Sequence, residues 1–180
     1  MDFGSLLLYA FSLVREPVRG ASVFLNDPVL GFGFAALLVI VVSLFFREQR
    51  KIPYIFTAVV LALLLGVAFK SFLQEERACV ETPGKIPCPL DFALPSIHAL
   101  LAFTLVVLAV GNRSFAVYLI FALFTTFSRV YLGVHTISEV AAGLAMAFLA
   151  CVMNEIIWKK MKREIPGELN LRHDSARLRK

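Results

Sequence analysis

The sequence predicts an all-α protein of the polytopic membrane class, with five to six transmembrane helices and an N-terminal interfacial helix. Three observations predict it. Of the 180 residues, 59% are hydrophobic and only 17% charged, outside the usual range for a soluble domain of this length. The apolar residues gather into five long runs, and lysine and arginine collect at alternate ends of those runs.

The first 25 residues are expected to form the interfacial helix. Phe3, Leu7, Ala10 or Phe11, Val14, Val18 and Ala21 recur at helical spacing, while Asp2, Ser5, Ser12, Arg15, Glu16 and Arg19 crowd the other side. As a sixth span the segment would bury Arg15, Glu16 and Arg19 at about 2.5–3.5 kcal/mol for each centrally placed charge. It opens with Asp2 and lacks the basic start of a secretory signal, so none is expected. Spans follow over Val29–Phe46, Pro53–Phe69, Ile97–Val110, Ser114–Phe127 and Ile137–Trp158. A crossing needs roughly 20 residues, so the third and fourth runs must borrow flanking residues such as Pro95, Ser96 or Ser128.

REQRK at 47–51 carries three basic residues, the turn GNR one and the segment from Lys159 eight, which puts 12 of the 18 on one side. That side is expected to be cytoplasmic, in a plasma membrane, with the C-terminus inside. The membrane-integrated domain is therefore 1–158 and the basic cytoplasmic tail 159–180. The net charge of +5 reads as topological anchoring, with attraction of the tail to anionic lipid as a second contribution, and nothing points to nucleic acid. Cys79 and Cys88 share the one long outer loop, where they are either a disulfide or two free thiols. Cys151 lies in an apolar span and reads as packing.

Lys70, Arg77, Ser96, His98, Ser128, Arg129, His135 and Glu139 all fall at the outer ends of the spans. If the second span continues as helix through SFLQEE, Lys70 and Arg77 project from one face. Ser96 opens an apolar run at an N-cap position, where its hydroxyl and the free amides beyond it suit a phosphate. With Arg129, this set fits a doubly charged tetrahedral oxyanion. His135 and Glu139 are four residues apart, so the carboxylate can fix the imidazole tautomer and free its other nitrogen to attack phosphorus. His98 is set to protonate the leaving oxygen and then take a proton from water. Three cations supply the charge neutralisation that magnesium supplies elsewhere, and no metal cluster or cofactor is called for. Singly, each residue has a structural reading. Thr136 and Glu139 also form a capping box, Lys70 and Arg77 can snorkel, and His98 can be a satisfied polar residue between helices.

KSFLQEER, PSIH and SRVYLGVHTISE, in that order, resemble the three-part signature of the type 2 phosphatidic acid phosphatase superfamily, K-x6-R-P, P-S-G-H and S-R-x5-H-x3-D. The resemblance covers residues 70–139. It implies phosphate binding by Lys70, Arg77, Ser96 and Arg129, a phosphohistidine on His135 and acid–base work by His98. It also implies a metal-independent membrane enzyme acting on lipid phosphates or diphosphates. The sequence departs from the signature at Ala78 in place of proline, Ile97 in place of glycine and Glu139 in place of aspartate.

The expected substrate is a lipid phosphate within the bilayer, met on the extracytoplasmic side. Polyprenyl diphosphate stands ahead of phosphatidylglycerol phosphate, lipid A 1-phosphate and phosphatidic acid. A phosphotransferase with the same site and an inactive lipid-phosphate-binding protein are the rival readings. The oligomeric state is not written in the sequence.

Overall fold

The computed structural model describes residues 3–81 and 84–164, and within them the side chains from Arg15 to Lys162 other than those at 28 and 50. Its helices are α1 (Phe3–Asn26), α2 (Pro28–Phe45), α3 (Ile52–Leu73), the short α4 (Ala78–Glu81), α5 (Ile97–Ala109), α6 (Phe115–Tyr131) and α7 (Ile137–Glu164), with a 3₁₀ turn at Gln49–Lys51 and no strand among the described residues. The five expected runs correspond to α2, α3, α5, α6 and α7. By length and composition α3 and Ile137–Lys162 of α7 can each cross a bilayer alone. α5 and α6 are apolar but have only 13 and 17 residues.

α1 and α2 meet at 90°. Asp27 makes the corner. Its backbone is extended, its carboxylate accepts from the amides of Val29 and Leu30 at 2.9 Å each, and Pro28 takes the first helical position, where no amide is needed. A right angle suits an interfacial helix leading into a span and equally one apolar segment broken at Asp27. Arg15, Glu16 and Arg19 are exposed, and α1 packs against α2 and α6. The faces assigned above to residues 3–14 lie outside the described side chains. So does the tail from 165 to 180, whereas the first residues past 158 continue α7 as helix.

Packing follows from small residues at helical spacing. On α3 the buried line is Ile55, Ala58, Ala62, Gly66 and Lys70, so the lysine continues a stripe that faces the bundle interior. α7 answers with Glu139, Gly143, Ala147, Ala150 and Asn154. A Cβ on Gly143 would come within 2.9 Å of the Ser96 carbonyl oxygen, so this glycine lets α5 approach α7 where the site begins. α5 lies between them, burying Ala99, Leu100, Ala102, Thr104, Leu105, Val106 and Ala109, and so reads as apolar on every side. Outward, large apolar side chains stand open, Phe45, Phe56, Ile120 and Ile156 each at 60% or more. Such a surface has lipid as its solvent.

The end of the bundle carrying the 47–51 loop is tied by polar contacts. The Tyr54 hydroxyl donates to Glu155 at 2.6 Å, Trp158 Nε1 to Thr57 at 2.8 Å, and Ser114 to Glu48 at 3.0 Å. Tyr54 and Trp158 also meet edge to face, as interfacial aromatics do. The candidate residues lie at the opposite end.

Candidate active site

Lys70 ends the buried stripe of α3 and Arg77 reaches the same point by a different route. The helix does not continue through SFLQEE. It stops at Leu73, with Gln74 in the left-handed conformation (φ 49°, ψ 33°) and its amide bonded back to the Lys70 carbonyl at 3.0 Å. The expectation that one helix face carries both cations is thereby corrected, and Arg77 enters from the loop. It is buried, and every nitrogen of its guanidinium is used. Nε donates to the Asp91 carbonyl at 2.8 Å, Nη2 to the Asp91 carboxylate at 2.7 Å, and Nη1 to the Val134 carbonyl at 2.7 Å and toward His135 Nε2 at 3.1 Å. Lys70 Nζ is 2.5 Å from the other Asp91 oxygen and also bonds the Phe92 carbonyl. Ala78, which stands where the signature has proline, opens α4, whose Cys79 is bonded to Cys88 with Cα atoms 5.6 Å apart.

α6 supplies Arg129 from its last turn, 2% exposed. One of its terminal nitrogens is held by the Asn26 side chain at the end of α1, while Nε has no partner within the chain. Ser128 turns away and donates to the Thr125 carbonyl at 2.7 Å. Beyond Gly133, at φ +75° and with its Cβ direction blocked by Gly84, the chain reaches His135 and enters α7.

His135 and Glu139 form a directed pair. Glu139 Oε2 receives Nδ1 of the imidazole, and Oε1 accepts from Thr136 Oγ1 at 2.9 Å. The Glu139 amide returns a bond to Thr136 Oγ1 at 3.3 Å, so this glutamate caps α7 and grips the histidine at once. The extra methylene relative to aspartate does not prevent the contact. A carboxylate accepts only, so Nδ1 carries the proton. Arg77 directs a donor at Nε2, so the lone pair lies there. Burial, seconded by the Arg77 and Arg129 charges and opposed by the Glu139 hydrogen bond, holds His135 down to about 4. It is neutral at pH 7, the form a nucleophile requires.

Ser96 sits at the N-cap of α5 but makes no capping bond, and its amide reaches the Glu139 carbonyl at 3.2 Å. His98 stacks on Phe32 with ring centroids 5.4 Å apart. Ile97, in place of the signature glycine, packs toward Gly66 of α3 and also borders the site. Buried polar atoms in folded chains are nearly always paired. Among the described side chains, Ser96 Oγ, His98 Nε2 and Arg129 Nε are buried without a partner in the chain.

Lys70, Arg77, His98, Arg129 and His135 line one cavity of about 860 Å³. Glu139 stands behind His135 and Ser96 beside Glu139. A second cavity of about 290 Å³, almost wholly apolar, shares His98, Phe32 and Leu63 with the first and runs between α2, α3, α5 and α6. Among the described residues no three His, Cys, Asp or Glu side chains gather as a metal site. The pattern of the sequence did not single out Asn26 or Asp91. Asp91 is one of several acidic residues near the basic set, and Asn26 is separated from Arg129 by 103 positions.

The model of the PAP2 superfamily matches residues 51–163, which hold every site residue named except Asn26 and Phe32. The chain belongs to the PAP2 superfamily. Its fold is also similar to two crystal structures. One is the first transmembrane PAP2-type phosphatidylglycerolphosphate phosphatase from Bacillus subtilis, 19% identical, covering 86% of this chain and 89% of that one, at a TM-score of 0.55. The other is Aquifex aeolicus LpxE, 22% identical, covering 78% and 85%, at a TM-score of 0.60. No curated protein matches the sequence. This PAP2 chain is thus a membrane protein that is all helix among the described residues, apart from its loops, with Lys70, Arg77, His98, Arg129 and His135 around one cavity.

Proposed function

We propose that the protein is a metal-independent phosphatase that hydrolyses the terminal phosphate of a lipid through a phosphohistidine on His135. The observation that carries this reading is His135, its Nδ1 held by Glu139 and its Nε2 by Arg77, at the edge of a cavity that Lys70 and Arg129 also line, so that a phosphate drawing Arg77 to itself frees the Nε2 lone pair. Nε2 attacks phosphorus and the phosphorus–oxygen bond to the lipid breaks. His98, protonated once the substrate dianion is seated beside it, gives its proton to the departing oxygen. Neutral His98 then takes a proton from water, which attacks the phosphohistidine and releases inorganic phosphate and His135. Lys70, Arg77 and Arg129 neutralise the phosphoryl oxygens throughout, the part that metal ions play in other phosphoryl transfers, and Ser96 adds a hydrogen-bond donor.

The apolar cavity running from His98 supports a lipid rather than a soluble ester. The basic residues gathered at the far end of the bundle support an extracytoplasmic site and a cytoplasmic C-terminus. A carrier diphosphate released on the outer side fits this orientation, so polyprenyl diphosphate, undecaprenyl diphosphate included, is the preferred substrate. Similarity to the Bacillus subtilis phosphatidylglycerolphosphate phosphatase favours that lipid as the second reading.

The test is phosphate release by detergent-purified protein in excess chelator from polyprenyl diphosphate, phosphatidylglycerol phosphate, lipid A 1-phosphate and phosphatidic acid. Release that survives chelation is expected, fastest from polyprenyl diphosphate. Release abolished by chelation and restored by added metal contradicts the metal-independent mechanism. A product that carries the phosphate onto another hydroxyl, with none set free, identifies a transferase.

A further inference from the structure

Asp91 stands where a substrate phosphate is expected. Its two carboxylate oxygens are divided between the two cations, Oδ2 at 2.5 Å from Lys70 Nζ and Oδ1 at 2.7 Å from Arg77 Nη2. Both cations are almost fully buried, yet the Asp91 side chain is 55% exposed. Burial opposes ionisation of Asp91, but Lys70 and Arg77 outweigh it and hold the carboxyl below its usual range. The backbone around it is pinned. Arg77 Nε holds the Asp91 carbonyl, the Ala93 amide donates to Glu75 at 2.8 Å, and the Cys79–Cys88 disulfide ties the start of the loop. The carboxylate can therefore leave for solvent by side-chain rotation while the loop stays where it is.

We infer that Asp91 is an internal anion that competes with substrate for Lys70 and Arg77, and thereby restricts the site to terminal phosphates. The inference rests on the phosphatase reading and narrows its substrate class. A phosphodiester offers one negative charge and two free oxygens, the same as a carboxylate, so it gains nothing by displacing Asp91. A terminal phosphate offers three acceptor oxygens and a charge of about −1.5 to −2. It satisfies Lys70 and Arg77 as Asp91 does and has an oxygen left for Arg129, whose Nε is without a partner. Most phospholipids surrounding this cavity are diesters, and the competitor keeps them from filling it. Specificity of this kind comes from what is disfavoured as much as from what is bound.

If the carboxylate occupies the cations for about 90–99% of the time, apparent affinity for any ligand is reduced about 10–100-fold. Asp91→Asn keeps the shape and removes the charge, and Asp91→Ser is a second neutral variant. Each is assayed for lipid phosphomonoester hydrolysis in the presence of inorganic phosphate or dimethyl phosphate. Binding of both probes is also followed by thermal unfolding. In the wild type, inorganic phosphate should inhibit and dimethyl phosphate should not. In both variants the inhibition constant for phosphate should fall about ten-fold, and dimethyl phosphate should become a competitive inhibitor. Phosphate release by the wild type, with inhibition unchanged or weakened in both variants, overturns the role of Asp91 and leaves the phosphatase reading standing. Wild-type protein that neither releases nor binds phosphate overturns both.

Discussion

Replacing His135 by alanine is expected to lower phosphate release by about 10⁴-fold or more, because it removes the atom that attacks phosphorus. The loss belongs to turnover rather than to binding. Lys70, Arg77 and Arg129 reach the cavity from α3, from the loop and from α6, and Arg77, which alone touches the imidazole, keeps its bonds to Asp91 and the Val134 carbonyl without it. Thermal unfolding of the variant should therefore still show stabilisation by inorganic phosphate. A variant that keeps a tenth of wild-type activity would move the nucleophile elsewhere. A folded variant that no longer binds phosphate would make His135 a ligand.

Arg77→Ala is the second large effect, expected at about 10²–10³-fold in kcat/KM, the range for loss of one preorganised donor to a developing oxyanion. More than charge is lost. The guanidinium also holds the Val134 carbonyl beside His135 and the Asp91 backbone, so the loop and the turn before α7 lose their common anchor. Arg77→Lys should recover little, since a point charge cannot replace a planar fork that addresses three groups. Activity of the lysine variant close to wild type would show that charge alone is needed here.

Much of this architecture was legible in the sequence. The apolar runs located α2, α3, α5, α6 and α7, because a bilayer leaves few other ways to bury so many hydrophobic residues. The four-residue spacing of His135 and Glu139 put the two on one side, since helical periodicity fixes which side chains share a face. Periodicity is silent about loops. It does not reveal that Gln74 ends α3 in a left-handed turn, so the condition that would put Arg77 on the helix face of Lys70 fails, and Arg77 reaches the site from the loop. It gave no reason to choose Asp91 from the acidic residues nearby. Nor did it pair Asn26 with Arg129, a contact created by the corner at Asp27 that directs α1 across α6. Glu139 carried two readings, cap and catalytic partner, and its two oxygens make both sets of contacts.

The phosphohistidine itself is the most direct test of the mechanism. Protein mixed with lipid substrate labelled in its terminal phosphate is denatured within a single turnover, under alkaline conditions that preserve phosphoramidate bonds, and the labelled peptide is sequenced by mass spectrometry. Label is expected on His135, chased by water in the wild type and absent from His135→Ala. Steady turnover with no covalent label at any quench time, or label on another residue, would contradict it.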